Sequence, residues 1–333
     1  MKIGPTVSYA GSAGPAIGVR AASMLDPRHA AQWTAGGTWS LYDTRKADAK
    51  FRWGAAEEPW GVVARTTYAL RPNHRFYGIG NTTSEDDKSI YLGESGTADV
   101  ALRVGQADRE VRLLGGWQST SVRRGWNDSP GLLDRFDLVE APGMLDESKV
   151  VSFGLGGDLA VLDDPRDPSS GIHARAEVLQ FHALSGGDFD FRRTHLEARA
   201  YVPVFSARRV IALRAVHQSV DPIDDGAAIP FYHLPDTADE ARFAGYAAHR
   251  FMDRHLAVAH AEYRWLIWDR LWALGLAEVG EVAPSASSLR VADVHESYGG
   301  GLRFAFSENS VARLHVAKGS EGISAYVTFK EDF

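Results

Sequence analysis

Cysteine is absent from the 333-residue chain, which removes disulfides and thiolate metal sites and suits an exported protein as well as a cytosolic one. No stretch approaches the roughly 20 consecutive apolar residues of a transmembrane helix. That excludes helical spans only, because membrane-crossing strands hide their apolar face in alternation. Positive charge is not in excess: 36 Lys and Arg stand against 43 Asp and Glu, a formal net charge of −7. Without a basic field, nucleic acid is not expected as a partner. Met1 to Gly14 lack the basic, apolar and small-residue succession of a secretory leader, so no export signal is expected within this chain. Catalytic patterns are missing too. The 12 histidines are scattered, with no HExxH and no paired metal spacing. Gly78-Ile79-Gly80 opens like a nucleotide loop, but no βα unit follows it. Ser84 and Ser129 stand outside any nucleophile elbow. No enzymatic activity, cofactor or metal is expected.

What the chain has is a period of two. In its last eleven residues Ile323, Ala325, Val327, Phe329 and Phe333 share one face, and Ser324, Tyr326, Thr328, Lys330 and Asp332 share the other. Only Glu331 interrupts the apolar side. Trp33, Ala35, Gly37, Trp39 and Leu41 oppose Gln32, Thr34, Gly36, Thr38 and Ser40. Val100, Leu102 and Val104 oppose Asp99 and Arg103; Leu196, Ala198 and Ala200 oppose His195, Glu197 and Arg199. Ala259, Ala261, Tyr263 and Trp265 oppose His260, Glu262 and Arg264. Alternation alone fits either a membrane barrel or a sandwich with one wet face.

Length and connections separate the two. Several segments exceed the usual five or six residues of a soluble strand and reach the roughly 9–11 that cross a bilayer. Short turns, as at 26–29, 106–109, 205–208, 268–270 and 308–310, alternate with long excursions at 71–89, 125–148, 221–254 and 281–295. Short turns on one rim and long loops on the other are the build of outer-membrane barrels. Eleven segments begin near Lys2, Ala16, Ala31, Lys46, Trp60, Ile90, Arg109, Val150, Ile172, Phe191 and Arg208. Five more, near His255, Arg270, Tyr298, Val311 and Ile323, follow the 221–254 excursion. The expected fold is therefore all-β, a transmembrane antiparallel barrel of about 16 strands and a single domain over residues 1–333. Its location would be the bacterial outer membrane, in contact with outer-membrane lipid.

Six stretches in order carry a family resemblance: RFYGIGNTTSEDD (Arg75–Asp87), LDDPRDPSSG (Leu162–Gly171), FAGY (Phe243–Tyr246), AEYRW (Ala261–Trp265), GGGLRF (Gly299–Phe304) and the terminal YVTFKEDF. In them the chain resembles the barrel of the BamA/TamA outer-membrane assembly superfamily, the bacterial surface antigen family. The resemblance implies sixteen strands and a long loop, about 221–254, folded into the lumen. In the family the loop tip is Arg-Gly-aromatic and pairs with an acidic residue on the thirteenth strand. Here the tip reads Arg242, Phe243, Ala244, Gly245, Tyr246, with Ala244 where the arginine is expected and Glu278 in the acidic place. Arg242, Arg303 or Arg264 would then serve as the cation for Glu278, with Glu262 among the lumen groups.

The resemblance further implies an insertion signal in the aromatic terminus (Tyr326, Phe329, Phe333) and a seam between the first and last strands. At that seam Gly4 and Pro5 would weaken pairing, since proline cannot donate to a ladder. Assembly proteins of the family carry soluble domains before the barrel that receive clients; this sequence resembles the short members that lack them. Handling of membrane proteins or lipids through the loop and seam is one expected function, and a passive pore or structural barrel is the other. Client outer-membrane proteins, or the assembly machinery during the chain's own insertion, are the expected protein partners.

Overall fold

The computed structural model describes the chain except residues 11–13, 55–57, 107, 127–129, 146, 166, 188, 225–226, 239–240, 308–309 and 329–333, and without side chains also for 7–10, 305–307, 310, 311 and 328. Sixteen antiparallel strands form one sheet in chain order. They are β1 (Lys2–Ala10), β2 (Gly14–Asp26), β3 (Ala31–Ser40), β4 (Arg45–Trp53), β5 (Trp60–Phe76), β6 (Ser89–Gln106), β7 (Arg109–Arg124) and β8 (Glu147–Leu162). β9 (Gly171–Ser185), β10 (Phe191–Val204), β11 (Ser206–Pro222), β12 (His255–Trp268), β13 (Leu271–Ala283), β14 (His295–Ser307), β15 (Ser310–Gly319) and β16 (Gly322–Thr328) complete it. The sixteen segments expected from alternation are all present. β14 starts three residues before the expected Tyr298, because His295 and Ser297 turn inward beneath a loop and leave no apolar mark.

The sheet rolls until its edges meet: β1 and β16 approach within 8 Å between Cα atoms, although no hydrogen-bonded pairing joins them among the described residues. The distribution of side chains is inverted relative to a water-soluble globule. Trp39, Trp117 and Phe304 point outward and are 56%, 39% and 39% exposed, whereas Glu197, Glu262, Arg264, Arg303 and Arg313 point inward and are buried. A sandwich would bury those aromatic rings between two sheets; a barrel in hydrocarbon leaves them outside and gathers charge in the lumen. The long loops share one rim with the β15–β16 turn, and the opposite rim carries mostly short connections.

Candidate functional site: the plugged lumen and the free edge

The β11–β12 loop, residues 223–254, folds inward because it is itself rich in apolar side chains that find a core there. Ile229, Phe231, Leu234 and Met252 pack with Phe76, Tyr91, Val150, Phe181, Phe191 and Val220 of six strands. Phe231 sits 4.7 Å from Phe76 and 5.3 Å from Tyr91, centroid to centroid. A second cluster joins Ala241, Phe243, Tyr246 and Phe251 to Val216, Leu256, Val258 and Val282. Polar bonds fix the loop's shape: Arg193 donates to the His233 carbonyl (3.2 Å), and Phe251 N–H donates to Thr237 Oγ1 (3.1 Å). Burial, with Arg193 beside it, drives the His233 imidazole down from 6.5 to about 3.

Glu278, on the inner face of β13, is where the loop tip lands. Among the described residues its hydrogen-bond partners are not arginines. Glu278 accepts from the Ala244 backbone N–H (2.7 Å), from Ser297 Oγ (2.5 Å) and from His260 Nδ1 (2.9 Å). This corrects the expected arginine: Arg242 lies over the Tyr326 ring (3.9 Å), Arg264 binds Glu262 (2.6 Å) and Arg303 binds Asp167 (3.0 Å). The physical reason is that the tip presents main chain instead of a side chain. Ala244 leaves room for its own N–H to reach the carboxylate, and three donors suffice for a buried anion. His260 stands directly across from Glu278 in the β12–β13 register, a position the two strand patterns could have revealed.

The tip reaches past Glu278 to the last hairpin. Tyr326 Oη donates to the Tyr246 carbonyl (2.5 Å), Tyr246 Oη donates to the Glu296 carbonyl (3.1 Å), and Ser320 N–H donates to Tyr246 Oη (3.2 Å). Gly245 passes so close that a Cβ there would stand 2.4 Å from Ser297 Cβ and 2.8 Å from Gly319 N, so only glycine fits. Arg250, 2% exposed, ties three segments together. Its Nε donates to both oxygens of Glu321 (2.8 and 2.9 Å) in the β15–β16 turn, and its Nη1 donates to Thr83 Oγ1 (2.8 Å) in the β5–β6 loop. Arg250 also lies over the rings of Phe251 (4.5 Å) and Tyr77 (5.1 Å). No sequence pattern singled out Arg250 or Glu321, and Thr83, inside the Arg75–Asp87 stretch, had no role assigned to it.

Toward the other rim the lumen is crossed again. Arg313 of β15 reaches Glu262 of β12, which also holds Arg264. Asp167, in the β8–β9 connection, extends to Arg303 on β14. Asp163 shapes that connection by accepting from the Ser169 and Ser170 N–H groups (both 3.0 Å) and from Ser169 Oγ. Those hydrogen bonds hold its carboxyl down at about 2 against the opposing effect of desolvation.

At the edge, Pro5 stands in register with Val19 of β2, and Gly4 with Arg20. Of the expected insertion signal only Tyr326 is described, inward and under Arg242; Phe329 and Phe333 lie outside the described residues. Among the described residues no group of three or more His, Cys, Asp or Glu is arranged to hold a metal.

No protein-family model matches the chain, and neither does any curated protein sequence. Solved structures do match. A crystal structure of BamA from Haemophilus ducreyi lacking POTRA domains 1-3 superposes with a TM-score of 0.70 at 13% identity, over 98% of this chain and 70% of that one. CdiB from Escherichia coli superposes with a TM-score of 0.63 at 12% identity, over 98% of this chain and 62% of that one, so this chain spans under two thirds of CdiB's length. At such identities the likeness concerns the fold. Sixteen antiparallel strands in chain order, apolar outside and charged within, make up the barrel fold that superposes on BamA and CdiB.

Proposed function

We propose that the chain is an integral protein of the bacterial outer membrane, one barrel domain over residues 1–333, that handles membrane proteins or lipids at its free edge and does not conduct solutes through its lumen. One observation carries this reading: described residues of the 223–254 loop fill the lumen while, among the described residues, β1 and β16 stand side by side without a ladder. An unladdered edge offers backbone groups to an incoming strand, and a filled lumen offers no path. The plug bonds to β16 and its turn through Tyr246, Arg242 and Arg250, so the plug and the edge would act as one unit. Gly4 and Pro5 would weaken the seam from the β1 side. The partners on this reading are outer-membrane lipid, client barrels and the assembly machinery that inserts the chain, with no catalytic step.

Planar-bilayer conductance tests the proposal. Low conductance is expected from the native protein. Large steady conductance would favour the passive pore and remove the edge-handling reading. Deletion of Phe333 probes the insertion signal: lowered membrane assembly is expected, and unchanged assembly would count against that role.

A further inference from the structure

Charge inside the barrel is not evenly paired. On β7 to β15, Arg112, Arg175, Arg214, Arg264, Arg303 and Arg313 each reach a carboxylate. On β4 and β5 the pairing fails. The alternation that leaves Phe51 and Tyr68 outside, 37% and 42% exposed, turns Lys50, Arg52 and Arg65 inside. Lys50 and Arg65 stand directly opposite each other in the β4–β5 register, and Arg52 is the next inward residue of β4. Like charges in direct opposition destabilise a sheet, and both guanidiniums act on the Lys50 ammonium. The neighbouring acids do not relieve them. Asp48 is held by Arg20 (3.1 Å), and Asp99 stands across from Arg65 in the β5–β6 register without pairing to it. Among the described residues the side chains of Lys50, Arg52 and Arg65 enter no ion pair or hydrogen bond.

Sheet geometry makes the three cations a shelf. Gln32 and Thr34 of β3 face Arg52 and Lys50 in register and add an amide and a hydroxyl on the same inner side. Arg65 is exposed although it points inward, so the shelf borders open lumen. It lies toward the short-turn end of β5, whereas the plug packs on Phe76 at the other end. Nothing in the described chain offsets the opposed charges, and an anion from outside would relieve them. Three cations beside the Asp99 carboxylate leave two positive charges, and a phosphomonoester carries about −1.5 to −2. A single carboxylate would leave half of that excess standing, and guanidinium forks with an ammonium are common donors to phosphate oxygens. We infer that the shelf is a binding site for a phosphate group, entered from the short-turn mouth, with Lys50, Arg52 and Arg65 as its counter-ions. The group can arrive on a soluble phosphate ester or on a lipid headgroup. The site depends on the barrel fold and not on the edge-handling reading.

The test is binding of radiolabelled pyrophosphate to the full chain in phosphatidylcholine nanodiscs. Saturable binding is expected. Lys50→Gln, Arg52→Gln and Arg65→Gln should each weaken it about tenfold, whereas Arg209→Gln, on the outer surface over Trp265, should leave it unchanged. Lys50→Glu separates a ligand site from a structural one. It replaces the opposed like charges with an opposite pair, so it should raise the melting temperature in the absence of phosphate and abolish pyrophosphate binding. Competition identifies the source: stronger displacement by short-chain phosphatidic acid than by glycerol phosphate assigns the site to a lipid headgroup, and the reverse order assigns it to a soluble ester. Absence of saturable binding would overturn the site. So would binding that survives Arg65→Gln and Lys50→Glu, or that Arg209→Gln weakens equally.

Discussion

The barrel has two walls that are held by different means. On the wall from β6 to β11 the inner charges brace one another from strand to strand. Arg112 meets Glu110 (3.7 Å), Glu177 (3.2 Å) and Asp158, His173 meets Asp158 (3.1 Å), and Glu197 meets Arg214 (2.7 Å). On the wall that carries the first edge, β1 to β3 turn mostly small residues inward, Gly4, Thr6, Ala16, Gly18 and Gly36, with Arg20 reaching across them to Asp48 of β4 (3.1 Å). The β14–β16 side is held from within, by the plug and by Arg303 and Arg313 reaching Asp167 and Glu262. One wall is braced by a dense network of its own inner charges, and the other leans in large part on a loop packed against it. The difference teaches where motion belongs: in the edge wall, with the plug as its keeper.

Substitutions can break that contrast. Glu321→Ala should have the largest effect, because it strands a buried arginine; a loss of plug docking of about 3 kcal/mol is expected, read as new protease cleavage within 223–254 while the barrel persists. Arg112→Ala, which leaves Glu110, Asp158 and Glu177 crowded, should cost about 2 kcal/mol of barrel stability without exposing the plug. If Arg112→Ala also freed the plug, the two walls would not be separate.

Gly245→Ala should weaken docking by about 1–3 kcal/mol through its collision with Ser297 and Gly319, measured by the same cleavage. Acid should loosen the plug through His233. Docked, the imidazole stays neutral down to about 3; undocked, it takes a proton near 6.5. Stability of the docked state is therefore full above pH 6.5 and declines as pH falls toward 3. His233→Gln should flatten that decline in a cleavage-versus-pH series. Arg20→Ala, which removes an exposed pair with Asp48 (3.1 Å) on the weakly braced wall, should change stability by no more than about 0.5 kcal/mol in thermal unfolding.

The strands were legible because a bilayer demands an apolar residue at every second position for the whole crossing, and charges on the other face reinforce the contrast. Glu278 was legible as an inner acid, but its partners were not. One is a main-chain N–H, which every residue carries, and another is His260, whose meaning appears only when β12 and β13 are set in register. Arg250 was illegible for a different reason. Thr83, Arg250 and Glu321 come from three loops with no periodicity, and only the rolled sheet brings them to one point.

The fastening of Asp167 to Arg303 has a consequence for any attempt to turn this barrel into a conduit. Excising residues 223–254 would empty the loop-rich half and still leave the Asp167–Arg303 tie strung across the lumen, since it joins the β8–β9 connection to β14 without the plug.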